Sequence, residues 1–246
     1  MLGLKLNHRL ATLVFDRPPV TAINDTFLDH FDPALKAKQQ VNPALVVVRG
    51  CRQFSAGGDV AQMVGALDNN DFSRRNSFPR PIQNSYLAWE QVPMPTVAAL
   101  TRAVAGRGLE LSLAPDLLIA FSASYIGSPE VCIGLLPAGG GSQRSAGLIG
   151  RGTDLRQILP GEMIGGTEAR DLGIAEWCLK DEEPEPKLEK VITLLLNFAG
   201  PAQLTIKRCI NLFSTNDGYA GELFEQRSLH ASDEAKRRLS AFISGR

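Results

Sequence analysis

Residues 95–121, which read PTVAALTRAVAGRGLELSLAPDLLIAF, decide the fold class. Thr96–Leu100 and Leu117–Phe121 are continuous apolar runs, a pattern typical of strands that are buried on both faces. Between them, the Gly-Arg-Gly sequence at 106–108 predicts a turn of small residues, and helical spacing follows it. A strand, a turn, a helix and a second strand in this order predict an α/β fold.

The same order recurs on both sides of this stretch. The apolar run Ala44–Val48 is followed by the small-residue turn Ser55–Asp59, and Leu117–Phe121 is followed by the turn Gly127–Pro129. The recurrence has no fixed residue period, so it indicates α/β layering rather than a solenoid array.

The N-terminal part has three further patterns. Leu2–Leu6 and Leu10–Phe15 are short apolar runs that predict a hairpin. The spacing from Asp25 to about Gln40 predicts a helix, with Asp25 as its cap. The polar stretch Asp68–Arg80 predicts a surface loop.

The C-terminal part is mainly helical in pattern. An acidic turn around Asp181–Pro186 precedes it, so we divide the chain into an α/β core at 1–185 and a C-terminal helical region at 186–246. We expect the core to carry the site and the helical region to serve association and to cover the pocket. The predicted helices are about Pro186–Phe198, Pro201–Phe213, Tyr219–Leu229 and Asp233–Ile243.

Composition argues against several classes of function. Of the 246 residues, 44% are hydrophobic and 21% charged, the balance of a globular chain with an adequate core. The 26 basic and 26 acidic residues cancel, so the net charge does not favour binding to nucleic acid or to an anionic membrane. There is no signal-peptide pattern and no apolar run near the roughly 18 residues of a membrane helix. We therefore expect a cytoplasmic protein.

Common catalytic motifs are missing from the sequence. The four cysteines and three histidines form neither a zinc nor a disulfide pattern. There is no phosphate-binding glycine motif, and the nearest approach to G-x-S-x-G, at Gly140–Arg144, fails at its last position. Among common chemistries, acid–base catalysis by carboxylates with help from backbone dipoles remains.

Three blocks of glycines, prolines and small residues stand in order along the chain. They are Val46–Gly50 with Phe54–Asp59, then Pro95–Leu100 with Gly106–Leu111 and Asp116, then Ser128–Val131 with Gly134, Pro137 and Gly139–Arg144. In order and internal spacing, the three blocks resemble the enoyl-CoA hydratase/isomerase (crotonase) family. The resemblance covers nearly the whole chain and is densest from about residue 44 to 180.

The resemblance implies a fold, a substrate class and an assembly. The fold is a crotonase-like superhelix of repeated ββα turns with a helical C-terminal region. The substrate is an acyl-CoA thioester, and CoA enters only as part of it, with no cofactor and no metal. Because family members associate through their C-terminal helices, the resemblance also implies a homo-oligomer, either a trimer or a dimer of trimers.

The leading hypothesis for the reaction is that of an enoyl-CoA hydratase of fatty acid metabolism, a lyase that adds water across an α,β-unsaturated acyl-CoA. Three alternatives stay open. One is another crotonase chemistry, such as double-bond isomerisation, which can run with one carboxylate. The second is the same chemistry on an acyl carrier protein thioester. The third is a non-catalytic subunit that has kept the fold.

The resemblance implies an oxyanion hole made of the backbone N–H groups of Ala56 and Arg107. Fixed N–H donors stabilise the negative charge that a thioester oxygen gains during the reaction. The family usually has glycine at the position of Arg107. A backbone N–H survives that change, and three roles for the side chain stay open: binding a ligand phosphate, binding a ligand carboxylate, or facing solvent.

Glu110 and Glu130 fall at the family's two catalytic-glutamate positions. They flank the strand Leu117–Phe121, so one strand reversal can bring both into one pocket. Apolar surroundings and a second carboxylate both raise a carboxyl pKa, which lets one group be protonated while the other is ionised. By resemblance, Glu110 is the water base and Glu130 the acid. The structural alternatives are a favourable charge at a helix N-terminus for Glu110 and a surface position for Glu130.

The resemblance assigns further contacts to the substrate. Gly139–Ser142 opens a helix and either presents N–H donors to the ligand or packs closely. Phe242 either touches CoA or belongs to a helix core. The predicted substrate-binding residues are Ser55, Gly57, Asp59, Gly106, Ala138, Gly139 and Phe242.

Overall fold

The apolar runs of the sequence become the strands of the protein. The computed structural model describes residues 2–68, 79–180, 184–198, 200–212 and 218–244. The strands, in chain order, are β1 Leu2–Asn7, β2 Leu10–Phe15, β3 Leu45–Gly50, β4 Thr96–Leu100, β5 Ala103–Ala105, β6 Leu117–Phe121, β7 Tyr125–Gly127, β8 Met163–Gly165 and β9 Trp177–Leu179.

The strands form two sheets. The larger sheet has the order β1-β2-β3-β4-β6-β9, in which β1 is antiparallel to β2 and all later pairs are parallel. The smaller sheet has the order β5-β7-β8. Because β5 follows β4 and β7 follows β6, the chain passes from the large sheet to the small one and then into a helix. This alternation is the predicted ββα repeat.

Helices follow the strands and make up the C-terminal region, as predicted. The predicted loop at 68–80 falls almost entirely outside the described residues. The helices are α1 Asp25–Val41, α2 Val60–Asp68, α3 Pro79–Glu90, α4 Arg107–Ser112, α5 Gly141–Ile149, α6 Arg151–Ile158, α7 Gly166–Asp171, α8 Pro184–Asn197, α9 Pro201–Asn211, α10 Gly218–Ala231 and α11 Asp233–Ile243, with a 3₁₀ helix at Pro129–Ile133.

The cap of α1 differs from the prediction. Asn24, not Asp25, is the N-cap residue, because its Oδ1 accepts a hydrogen bond from the backbone N–H of Phe27 at 3.0 Å. Asp25 is the first residue of the helix. Asn and Asp cap equally well, so composition could not separate two such neighbours.

The central strands β3, β4 and β6 of the large sheet are buried on both faces, as their continuous apolar runs predict. In β3, Val46 and Val48 belong to the main core, while Leu45 and Val47 pack on the opposite face with Leu188 of α8. Full burial of a side chain of this size contributes about 1.5–3 kcal/mol. The α8 helix therefore covers the outer face of the sheet that carries the site.

The C-terminal region is also tied to the core by polar contacts. Lys207 of α9 donates to the carbonyls of Val92 and Met94 at 2.6 and 3.2 Å and pairs with Asp116 at 2.9 Å. Asp116 in turn accepts hydrogen bonds from the amide and hydroxyl of Thr96. Among the described residues, no helix is both long and apolar enough to cross a bilayer.

Candidate active site

The first component of the site is the turn at 55–59, between β3 and α2. The backbone of Ser55 exchanges two hydrogen bonds with β5, to the carbonyl of Ala103 and from the amide of Ala105, both at 3.0 Å. The Ser55 hydroxyl donates to the carbonyl of Thr21 at 2.7 Å. Ser55 is fully buried and its contacts hold the turn, while its predicted contact with substrate stays a prediction.

The amides of this turn are not equivalent. The Ala56 N–H donates to the Val20 carbonyl at 3.0 Å, and the Asp59 N–H to the Ile23 carbonyl at 3.1 Å. The Gly57 N–H donates to the Ser55 hydroxyl at 3.1 Å. The Gly58 N–H has no hydrogen-bond acceptor among the described residues.

Two predictions about this turn are therefore corrected. The amides of Ala56 and Gly57 are engaged inside the protein, and the N–H group left to meet a ligand is that of Gly58. A run of four small residues does not tell which N–H points outward, which is why sequence reasoning missed Gly58. Asp59 accepts hydrogen bonds from Arg17, Asn24 and the Gln62 amide, so it caps α2.

The second component is the start of α4. Gly106 has φ 51° and ψ −122°, a conformation that favours glycine, and its N–H donates to the Gly127 carbonyl at 2.9 Å. A Cβ on Gly106 would lie 2.9 Å from Oε1 of Glu130, and one on Gly108 would lie 2.7 Å from the carbonyl oxygen of Ser55. The two glycines therefore let the start of α4 contact both neighbouring turns. Gly106 adjoins Glu130, while its own N–H is used within the protein.

Glu110, in α4, is 1% exposed. Its Oε1 accepts hydrogen bonds from the amides of Gly139 and Gly141 at 2.6 and 2.9 Å. Burial raises the pKa of Glu110, and the two amides together with the charges of Arg107 and Arg144 oppose that rise. The Gly139 amide thus binds Glu110 in this structure, and a contact of Gly139 with substrate stays a prediction.

Glu130 has a different environment. It lies in the 3₁₀ helix at Pro129–Ile133, and both of its carboxylate oxygens are buried without a hydrogen-bond partner among the described residues. The pKa of Glu130 is raised to about 7: burial raises it most, its own backbone amide and Arg107 oppose the rise, and the negative charge of Glu110 adds to it. The two carboxylates therefore act on each other, as expected of one site.

The Arg107 side chain lies inside the site and does not face solvent. It is half-buried, and a Cβ on Gly58 would lie 3.1 Å from its Cδ and 3.2 Å from its Nε. Burial lowers the pKa of Arg107, while the negative charges of neighbouring groups, among them Glu110 and Glu130, raise it. Arg107 is the first residue of α4, so its backbone N–H has no acceptor within the helix and points away from the helix end.

The residues around Glu110 are held by α3 and α5. Arg144 donates to Oε2 of Glu90 at 3.1 and 2.8 Å and to the Gly139 carbonyl at 3.1 Å. Gln83 donates to the Ala138 carbonyl at 2.8 Å. These contacts fix the loop whose amides bind Glu110. Sequence reasoning missed the role of Arg144, because nothing in the local pattern pairs it with Glu90.

Two predicted contacts are not tested by this geometry. Ala138 is half-buried beside the Glu110 loop, and its role toward substrate stays a prediction. Phe242 belongs to α11, but its side chain lies outside what the structure describes. In the described part of the chain, no three His, Cys, Asp or Glu side chains converge to hold a metal ion.

Comparison with known proteins assigns the chain to a family. The family model for enoyl-CoA hydratase/isomerase matches residues 5–240. The chain belongs to the enoyl-CoA hydratase/isomerase family. The predicted family is therefore confirmed, and the matched range includes the turn at 55–59 and both glutamates.

Relatives of this family match along their full length. The chain is 29% identical to a probable enoyl-CoA hydratase of Bacillus subtilis strain 168, covering 100% of the chain and 96% of that protein. It is 26% identical to a crotonyl-CoA hydratase of Syntrophomonas wolfei, covering 99% and 95%. The crystal structure of an enoyl-CoA hydratase from Geobacillus kaustophilus HTA426 superposes with a TM-score of 0.92 at 27% identity, covering 100% and 94%. The crotonase-like fold is therefore confirmed.

Proposed function

We propose that the chain is an enoyl-CoA hydratase, a lyase that adds water across the double bond of an α,β-unsaturated acyl-CoA. The observation that carries the proposal is the unequal pair of buried carboxylates. Hydration needs one carboxylate to take a proton from water and one carboxyl group to give a proton to carbon. Two relatives named as hydratases, from Bacillus subtilis and Syntrophomonas wolfei, support the same reaction.

The environments of the two glutamates support a division of roles. Glu110 receives two backbone N–H groups, which favour its ionised form. Glu130 receives no side-chain hydrogen bond from the described residues, and burial raises its pKa to about 7. We therefore assign Glu110 as the base and Glu130 as the acid.

The oxyanion hole of the proposed mechanism consists of the N–H groups of Gly58 and Arg107. The thioester oxygen accepts hydrogen bonds from both, and its negative charge grows when water attacks Cβ. Donors fixed by the protein backbone need no reorganisation as that charge develops, and each is typically worth about 3 kcal/mol of barrier. Ala56, with its N–H on Val20, supports Gly58 by fixing the turn.

The proton balance of the reaction closes within the pair. Glu110 takes one proton from water as the oxygen bonds to Cβ, and Glu130 gives its proton to Cα. The product leaves Glu110 protonated and Glu130 ionised, so one proton must return from Glu110 to Glu130 before the next turnover. Because Coulomb repulsion couples the two groups, the pair titrates as a unit.

Glu110→Gln and Glu130→Gln test the proposal. Each substitution keeps shape but removes proton transfer, so each should lower kcat by roughly a hundredfold or more with little change in thioester affinity. The assay follows loss of the conjugated thioester absorbance over a panel of enoyl-CoA substrates, with affinity measured by calorimetry. The matched control is Glu176→Gln, whose carboxylate accepts a hydrogen bond from the Leu118 amide, outside the site.

Other outcomes would point to other functions. If Glu110→Gln kept most turnover while Glu130→Gln lost it, the chain would be an isomerase. If the chain acted only on thioesters of an acyl carrier protein, the carrier protein and not CoA would be the natural carrier of the substrate. Binding without turnover of any thioester by the wild type would indicate a non-catalytic subunit.

A further inference from the structure

Arg107 lies close to both glutamates in the fold. It is the first residue of α4, Glu110 lies one turn later on the same helix, and the preceding residue, Gly106, is packed against the Glu130 carboxylate. The Arg107 side chain is half-buried and lies over Gly58 rather than extending into solvent. All of these residues belong to the site of the proposed reaction.

A single cation has a large effect at such a position. Two carboxylates that share a buried site repel each other, and desolvation disfavours the ionised form of both. An opposite charge within about 4–6 Å offsets these effects, because a partly buried interaction is weakly screened by water and salt. Without it, burial and repulsion would keep more of the pair protonated at neutral pH.

We propose that Arg107 is a positioning residue, whose guanidinium supplies the counter-charge that keeps one glutamate of the pair ionised while the other holds the transferable proton. The inference rests on the proposed function, and it assigns to the side chain a role separate from that of the backbone N–H. A neutral small residue at 107 would retain the N–H and lose this role.

The other charged groups near Arg107 do not act on both glutamates in the same way. Tyr86 donates its hydroxyl to the Arg107 carbonyl at 3.1 Å, and burial raises its pKa well above the usual value, so it stays neutral. Asp25 is an acid and accepts a hydrogen bond from Gln62 at 2.7 Å. Arg144 also favours the ionised form of Glu110, but it is paired with Glu90 and bonded to the Gly139 carbonyl, whereas Arg107 acts on both glutamates.

The test is an isotope-edited infrared titration of the glutamate carboxyl groups in the free enzyme. The signals of the pair are assigned by their loss in Glu110→Gln and Glu130→Gln. Arg107→Met and Arg107→Gly should both raise the apparent pKa values of the pair by about one unit or more, because a neighbouring positive charge favours ionised carboxylates. Arg107→Lys should restore most of the difference. Arg156→Met, which removes an exposed arginine, is the matched control.

Activity gives a second, separable readout. The acidic limb of kcat/KM against pH should move to higher pH in Arg107→Met and return in Arg107→Lys. An unchanged titration in both folded charge-free variants would overturn the inference, and so would a change confined to KM, which would make Arg107 a ligand contact. Should the wild type hydrate no thioester while the titration still shifts, the proposed function fails and the counter-charge stands. Melting curves identify any variant that fails to fold. If Arg107→Met does not fold, Arg107→Gly takes its place in both measurements.

Discussion

Two glutamates of the same chemistry acquire different properties from their surroundings. Glu110 is almost fully buried, yet two amides hold its Oε1. Glu130 is less buried but has no comparable donors within the described residues, and its pKa rises to about 7. Hydrogen bonds from two amides therefore oppose the effect of burial at Glu110, and Glu130 has no such pair of donors.

The raised pKa of Glu130 predicts a pH-dependent cost in stability. In the unfolded chain Glu130 has its ordinary pKa, 4.5, and in the folded protein about 7. Between these values the folded state binds the proton more tightly, so the free energy of unfolding falls as pH rises. Glu130→Gln removes this effect. It should therefore be more stable than the wild type by about 1–2 kcal/mol at pH 8, after allowance for solvent screening, and equal to it below about pH 4.5.

Urea unfolding of both proteins across this pH range provides the measurement. Glu222→Gln, an exposed position, should follow the wild type throughout. A constant stability difference at every pH would show that Glu130→Gln acts through packing and not through a proton.

Sequence identified the glutamates but not their surroundings. Both lie in motifs whose residues and spacing match those of the family, so Glu110 and Glu130 could be named without coordinates. The direction of a backbone N–H is set by contacts with distant residues, such as Val20 for Ala56. For the same reason, the place of the Arg107 side chain over Gly58 could not be read from its neighbours in the chain.

Among the elements, strands were the most predictable. The runs at β4 and β6 were predicted with their observed bounds, because a strand buried on both faces leaves an uninterrupted apolar signal. The three-residue strands of the small sheet left no comparable signal, and they were missed. Those short strands nevertheless align the turns that form the site.

The turn at 55–59 gives a prediction at the scale of the element. Replacing the amide before Gly58 by an ester, through semisynthesis, removes one N–H without altering a side chain. Because that N–H is a proposed oxyanion donor, kcat should fall about a hundredfold. The same replacement at Ala56 removes the hydrogen bond to Val20, so it should lower stability by about 1 kcal/mol and affect kcat much less. Equal kinetic losses at both positions would contradict the assignment of Gly58.

At the scale of the molecule, the C-terminal helices leave apolar side chains uncovered. Phe198, Ile210, Leu223 and Phe224 are each more than 60% exposed. Monomeric proteins rarely expose apolar patches of large extent, so such side chains favour association. The family analogy makes a second copy of this chain the expected partner, and a trimer or a dimer of trimers stays our prediction.

Light scattering of the purified chain tests this prediction. We expect about three or six times the monomer mass of 26.6 kDa at micromolar concentration. Leu223→Lys combined with Phe224→Lys should lower the mass, because charged groups are costly to bury in an apolar interface. Lys190→Glu, on an exposed part of α8, is the control. A wild-type mass equal to that of the monomer would refute the assembly.

The three turns that carry Gly58, Arg107 and Glu130 belong to successive windings of the chain, and they are joined through Ser55 to β5 and through Gly106 to β7. No single winding holds both a proposed oxyanion donor and the complete carboxylate pair. We therefore expect a truncated or half-assembled chain to regain helix and sheet without regaining the proposed turnover. During refolding, recovered activity would report the formation of the last of these three windings, whereas circular dichroism would report the secondary structure of the windings that form before it.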